Sequence, residues 1–198
     1  PEARPGLASL WMVGAILSFS SMAVAGRAVS IELDTFELMT WRSAVGLLIV
    51  IGVGAVAGTL RQVTRRGLHL HLARNIAHFT GQNLWFYAVT VSPLALVFAL
   101  EFTSPLWTMA LAALFLGERM TRIKALAGAL GFTGVLLVVQ PGAAPISPGM
   151  ITAALAAIMF ATTAIFTKKL TATETITCIL FWLTLMQLVL GLVTSFWD

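Results

Sequence analysis

Long apolar runs separated by short polar interruptions dominate the chain. Seven runs stand out, at about 8–26, 36–58, 72–91, 93–116, 122–140, 148–167 and 175–197. Each approaches the ~20 residues that an α-helix needs to cross a hydrocarbon core of ~30 Å. Runs this long and continuous predict helices rather than strands. The expected fold class is therefore an all-α polytopic membrane protein with seven transmembrane helices. Helix-boundary signals bracket several runs. Asp34 lies three residues before Glu37 and Thr171 three before Glu174, the spacing of a capping box. Ser92-Pro93 and Ser147-Pro148 each put a capping residue before a proline, a favoured first helical residue. Gly117 suits a helix C-terminus.

Composition excludes the soluble alternatives. The chain is 59% hydrophobic and 10% charged, whereas soluble domains run near ~45–50% apolar and ~25% charged. A soluble domain of 198 residues cannot hide so much apolar surface. Apolar runs recur to the C-terminus, which excludes a signal peptide followed by a soluble body. The single Cys178 rules out an intrachain disulfide framework.

Charge placement predicts topology. With the N-terminus in the cytoplasm, ten of the twelve Lys and Arg fall inside: Arg4, Arg61, Arg65, Arg66, Arg74, Arg119, Arg122, Lys124, Lys168 and Lys169. Arg27 is left in an outside loop and Arg42 within the second run. This is the positive-inside pattern. The net charge of +4 thus reflects orientation, and no nucleic-acid partner is expected. The chain begins at Pro1 and stops at Asp198 as the seventh run ends, so an incomplete chain is expected. A shallow echo at an offset of 142 pairs Ala15-Ile16 with Ala157-Ile158, Ser20-Ser21 with Thr162-Thr163 and Arg27 with Lys169. Copies separated by five helices are inverted in the membrane, an arrangement common in transporters.

The candidate chemistry lies where polarity interrupts the runs. Glu101 enters the fourth run by eight residues, about 12 Å at 1.5 Å per residue. Intramembrane acids usually face a partner or a wet cavity. Pro105, four residues on, has no N–H for the carbonyl of residue 101, so a kink is expected beside the acid. This predicts a substrate or proton site; the competing reading is a structural ion pair and packing kink. Arg42 sits at comparable depth and is expected either to pair with Glu101, to meet an anionic substrate group, or to snorkel to the surface. Trp41 beside it suits an interfacial anchor or a stacking wall. In the third run Arg74, His78, Gln82 and Trp85 follow steps of four, four and three, one helical face. That stripe should turn into the bundle, with Gln82 as a cavity residue, His78 as a proton relay or a satisfied core histidine, and Arg74 as a loop charge. Ser18, Ser20 and Ser21 could line a path or ease packing, and Trp107 could form a wall or fill the core. Gly54 and Gly58 form a GxxxG, compatible with a homodimer, and Cys178 reads as filler. No HExxH, GxSxG, P-loop or CxxC is present, so neither an enzyme, a metal site nor a cofactor is expected.

Residues 94–142 carry a resemblance. They include Pro105, the Phe115-Leu116-Gly117-Glu118-Arg119 turn, Gly128, Gly131 and Gly134 in the fifth run, and Gly142 after it. With Trp41-Arg42 and Trp85-Phe86-Tyr87-Ala88 upstream, the stretch from about 8 to 142 resembles the EamA-like family of the drug/metabolite transporter superfamily. The resemblance implies a ten-helix fold of two inverted five-helix repeats. Residues 1–142 would then be the first repeat and 143–198 the first two helices of an incomplete second. It also implies a secondary transporter (permease or exporter) of the bacterial inner membrane, moving small polar metabolites such as amino acids by alternating access. Its expected partners are the lipid bilayer and a small-molecule substrate, with Glu101, Arg42, Gln82, Trp85, His78, Pro105 and Trp41 along the pathway. The rival expectations are a non-transporting assembly or anchor protein, with Arg42 and Glu101 closed on each other, and a membrane-embedded lipid-modifying enzyme.

Overall fold

The computed structural model describes residues 5–30, 32–140, 142 and 145–196, and the described residues form eight α-helices. These are α1 (Pro5–Val29), α2 (Thr35–Val56), α3 (Leu68–Val91), α4 (Leu94–Glu101), α5 (Ser104–Leu116), α6 (Arg122–Val139), α7 (Pro148–Leu170) and α8 (Ile176–Ser195). A short 3-10 turn, Leu60–Gln62, precedes α3. The seven runs are all helical, and the fourth is divided into α4 and α5. Six helical segments are long and apolar enough to cross a membrane, with α4 and α5 counted together as Leu94–Leu116. The third run falls outside that group because His71, Arg74, Asn75 and Gln82 lower its hydropathy. At 24 residues α3 is nonetheless as long as its neighbours. It tolerates those polar groups because it is the helix most enclosed by the others.

Local chemistry sets the ends. Asp34 Oδ1 accepts from the Phe36 and Glu37 amides at 2.7 and 2.8 Å, and the Asp34 amide donates to Glu37 Oε2 at 3.3 Å, so this capping box forms. Asp34→Ala is expected to cost about 1 kcal/mol, and Asp34→Asn far less, in thermal melts of the solubilised protein. Ser147 caps α7 ahead of Pro148, as its spacing predicts. Gly117 ends α5 at φ 66°, a left-handed geometry that favours glycine. Two boundaries differ from expectation. The cap of α8 is Thr175, not Thr171, because α7 continues to Leu170 and Thr171 closes it. Ser92 closes α3 instead of opening α4, whose first helical residue is Leu94. Gly54 and Gly58 do not share one helical face within the chain, since α2 ends before Gly58. Gly54 lies against Leu60, and Gly58 follows the end of α2 at φ 68°.

Packing centres on α3. It runs antiparallel to α7, with Arg74 beside Thr167, Gly81 beside Met159 and Phe160, and Ser92 beside Gly149. Ala153, Ala156, Ala157 and Ala161 are fully buried on α7 and let the two backbones approach. α2 runs antiparallel to α8, with Thr40 against Gly191 and Gly46 against Thr184. Met39, Trp85, Phe86, Val89 and Val97 fill the space between. Large apolar side chains on α1, α2 and α6 remain exposed, including Trp11, Leu48 and Leu137, as a lipid-facing surface requires. The molecule is an integral membrane protein.

Basic ends gather on one side. Glu118 accepts from Lys124 Nζ at 3.2 Å and from Lys168 Nζ, tying the turn after α5 to α6 and α7. These contacts, Lys168 foremost, hold the Glu118 carboxyl below its ordinary value of 4.5. A depressed carboxylate stabilises above its unfolded value and loses that effect as pH falls through the folded one. Acidification below about 4.5 is therefore expected to release this turn, and Glu118→Gln to remove that pH dependence in hydrogen-exchange measurements on 117–121.

Candidate functional site

The break between α4 and α5 creates the site. The Thr103 amide and hydroxyl both donate to the Leu100 carbonyl, at 3.0 and 2.6 Å, and Pro105 sits in the first turn of α5. The helix therefore stops at Glu101 and restarts at Ser104. Beside the break lies a cavity of about 790 Å³. Its lining includes Arg42, His78, Gln82, Trp85, Glu101 and Pro105, six residues singled out from sequence. Trp41 is not among them: it is 66% exposed and borders a shallow groove beside α1.

Arg42 and Glu101 do not pair, because α3 places a neutral partner in front of each. Arg42 Nη2 donates to Gln82 Oε1 at 2.5 Å, and Trp85 Nε1 donates to Glu101 Oε2 at 2.7 Å. Gln82 and Trp85 are nearly one turn apart, so one face of α3 holds two opposite charges at separate points. Trp85 is itself fixed, 2% exposed, edge-on to Phe86 at 5.1 Å and against Phe98 at 6.5 Å. Two polar atoms are left over. Arg42 Nε is buried without a partner, as is His78 Nδ1, whose ring packs on Phe160 at 6.1 Å. The cavity thus offers a guanidinium with an unused donor, a carboxylate held from one side, and aromatic walls.

The polar stripe of α3 does turn inward, but Arg74 departs from expectation. It is buried rather than a loop charge, and its Nε donates to Thr167 Oγ1 at 2.7 Å. α7 supplies lining that the sequence pattern did not single out as site: Phe160, Thr163, Thr167 and Lys168, with Phe19 from α1. The echo had touched Thr163, but threonines in an apolar run read equally as packing. Ser18, Ser20, Ser21 and Trp107 are exposed and line no part of this cavity. One end of the cavity reaches Lys168 and Thr171 on the basic side. At the other side of the molecule Arg27 Nε donates to the Val89 carbonyl at 2.8 Å, and its Nη2 bonds the Val89 and Ser92 carbonyls. A cation there satisfies carbonyls that the end of α3 leaves unpaired and pins α1 over that end.

Known proteins resemble this chain in sequence and in fold. The chain is 26% identical to the S-adenosylmethionine uptake transporter of Rickettsia bellii, over 92% of this chain and 62% of that protein. It is 28% identical to the riboflavin transporter of Rhizobium johnstonii, over 91% of this chain and 60% of that one. The pseudopaline exporter of Pseudomonas aeruginosa is 31% identical across 67% of this chain and 46% of its own length. The chain thus spans about 60% of the length of the first two relatives. A solved crystal structure, 17% identical, superposes with a TM-score of 0.65 over 90% of this chain and 62% of its own, a likeness of fold. The sequence model of the EamA-like transporter family matches residues 6–140, a stretch that holds the helix break, all six cavity residues named above and Trp41. The chain belongs to the EamA-like transporter family.

Proposed function

We propose that this chain acts as a secondary transporter of small polar metabolites, amino acids or related compounds, across the bacterial inner membrane. The observation that carries this reading is the cavity at the α4–α5 break, where Arg42 and Glu101 face one space without neutralising each other. A zwitterion fits such a pair: its carboxylate meets the free Arg42 donor, its cationic group meets Glu101, and its apolar part lies on Trp85 and Phe160. Relatives named as uptake transporters and as an exporter support the activity class. No nucleotide-binding motif occurs, so gradients supply the driving force.

The positive-inside pattern supports a cytoplasmic N-terminus. The cavity then opens inward at Lys168 and Thr171, while on the other side Arg27 pins α1 to the end of α3, an arrangement that suits one state in alternating access. Residues 1–142 form one five-helix repeat and 143–198 the first two helices of an inverted second. The close antiparallel packing of α2 on α8 supports this, since an inverted repeat makes those two helices equivalent. The anchor-protein reading required a closed Arg42–Glu101 pair, and that pair is absent.

The test is uptake into proteoliposomes by the full-length protein, using radiolabelled zwitterionic amino acids with and without a pH gradient. Saturable uptake that Arg42→Gln reduces by about 30-fold is expected, for loss of a charged contact worth about 2 kcal/mol. Equal uptake by the wild type and Arg42→Gln would sink the assignment of Arg42 to the substrate.

A further inference from the structure

A second cluster lies away from the cavity, where the first turns of α3 and α8 meet the loop before α8. His71, Glu174 and Cys178 each offer a ligand atom there, all within 4.8 Å of one another. His71 is 0% exposed, and neither of its ring nitrogens has a hydrogen-bond partner. Glu174 Oε1 is likewise buried and unpartnered. Unpartnered ring nitrogens and an unpartnered carboxylate oxygen, each of which should cost stability alone, thus converge with the Cys178 sulfur.

The surroundings are built to hold them. Thr64 Oγ1 donates to Glu174 Oε2 at 2.9 Å, which turns Oε1 toward the cluster. The Thr64 amide donates to Cys178 Sγ at 3.5 Å and the thiol donates to the Thr64 carbonyl at 3.7 Å, so the Thr64 backbone holds the sulfur in place. Trp182 packs on the His71 ring at 6.2 Å while its Nε1 donates to the Thr64 carbonyl at 2.7 Å, fixing the loop over the site. Glu174 lies in the loop just before the Thr175 cap and Cys178 in the first turn of α8, so the start of that helix carries both.

We propose that His71, Glu174 and Cys178 bind a borderline-soft divalent cation of the Zn²⁺ class, which staples α3 to α8. Charge supports the class: a thiolate and a carboxylate carry two negative charges that a divalent ion cancels. Donor type supports it too, since an N, S and O set suits Zn²⁺, whereas the carboxylate disfavours Cu⁺ and the thiolate disfavours Mg²⁺ and Ca²⁺. Tetrahedral bonds of about 2.0–2.3 Å put ligand atoms roughly 3.3–3.7 Å apart, so small side-chain rotations close the set. Binding releases the thiol proton to solvent, and the partly exposed Glu174 gives the ion its entry. A fourth position is left for water.

The probe is Co²⁺, titrated into the full-length protein in detergent, purified without a histidine tag. One Co²⁺ per chain is expected, with a thiolate-to-cobalt charge-transfer band that Zn²⁺ abolishes by displacement. Cys178→Ser should remove the band. Glu174→Gln, which is isosteric and keeps an oxygen for Thr64, should keep it but weaken binding by about 10-fold or more. Zn²⁺ should also raise the melting temperature of the wild type and not of Cys178→Ser. A folded wild-type protein without the band at saturating Co²⁺ overturns the proposal, as does unchanged affinity in Glu174→Gln.

Discussion

Replacing Glu101 with Gln is expected to lower the initial transport rate about 100-fold while raising the melting temperature. The two effects have separate causes. Gln keeps an oxygen to accept from Trp85 Nε1, now 2.7 Å from Glu101 Oε2, so the wall of the cavity stays in place. It removes a carboxylate about 12 Å into the span, where insertion scales charge about 2.5–3.5 kcal/mol for an acid. Part of that cost should return as stability. The substrate meanwhile loses a charged contact worth about 2.7 kcal/mol, hence about 100-fold. Glu101→Leu separates the roles further, because it also leaves the Trp85 N–H unpaired at a cost of about 1–3 kcal/mol and should melt lower. Proteoliposome uptake and thermal melts on the same preparations decide the matter. If Glu101→Gln transports at the wild-type rate and melts lower, Glu101 serves to hold Trp85 and nothing more. If a pH gradient drives uptake, the variant's residual transport should no longer respond to that gradient.

What the sequence made legible was whatever depends on one helix at a time. The runs announced themselves because lipid demands about 20 apolar residues per crossing. The α3 stripe announced itself because a 3.6-residue period puts positions 78, 82 and 85 on one face. Depth was readable as well: Arg42 and Glu101 do open on the same cavity. Rotation about the helix axis was not readable, and it decides partners. Arg42 meets Gln82 and Glu101 meets Trp85 because α3 stands between α2 and the α4–α5 break, a fact of packing among three elements. The same limit explains Arg74, whose partner Thr167 lies 93 residues away. It explains Thr175 as well, since Thr171, Thr173 and Thr175 are all capping residues and only the length of α7 selects among them. The His71–Glu174–Cys178 cluster was hidden for the same reason, its members being unremarkable until α3 and α8 are side by side.

Gly191→Leu is expected to prevent accumulation of folded protein, and Gly191→Ala to cost about 1–3 kcal/mol. A Cβ built at this glycine lies 2.4 Å from Thr40 Oγ1, 3.1 Å from Thr40 Cα and 3.2 Å from Thr40 N. The hydroxyl can turn aside, although it now donates to the Phe36 carbonyl at 2.9 Å. The backbone of α2 cannot move without carrying Met39, which is fully buried, and Ser43 with it. Without a hydrophobic driving force between helices in lipid, close backbone approach at small residues is a main source of association. Losing it at the α2–α8 crossing should therefore cost more than a comparable contact on α6, where Gly131 and Gly134 face open space. Gly134→Ala is the matched control and should be neutral or slightly stabilising, because alanine favours helix over glycine by about 1 kcal/mol. Thermal melts and monodisperse yield in detergent, compared between the two alanine variants, measure the difference. Equal melting temperatures for Gly191→Ala and Gly134→Ala would mean that α8 does not rest on α2 as described.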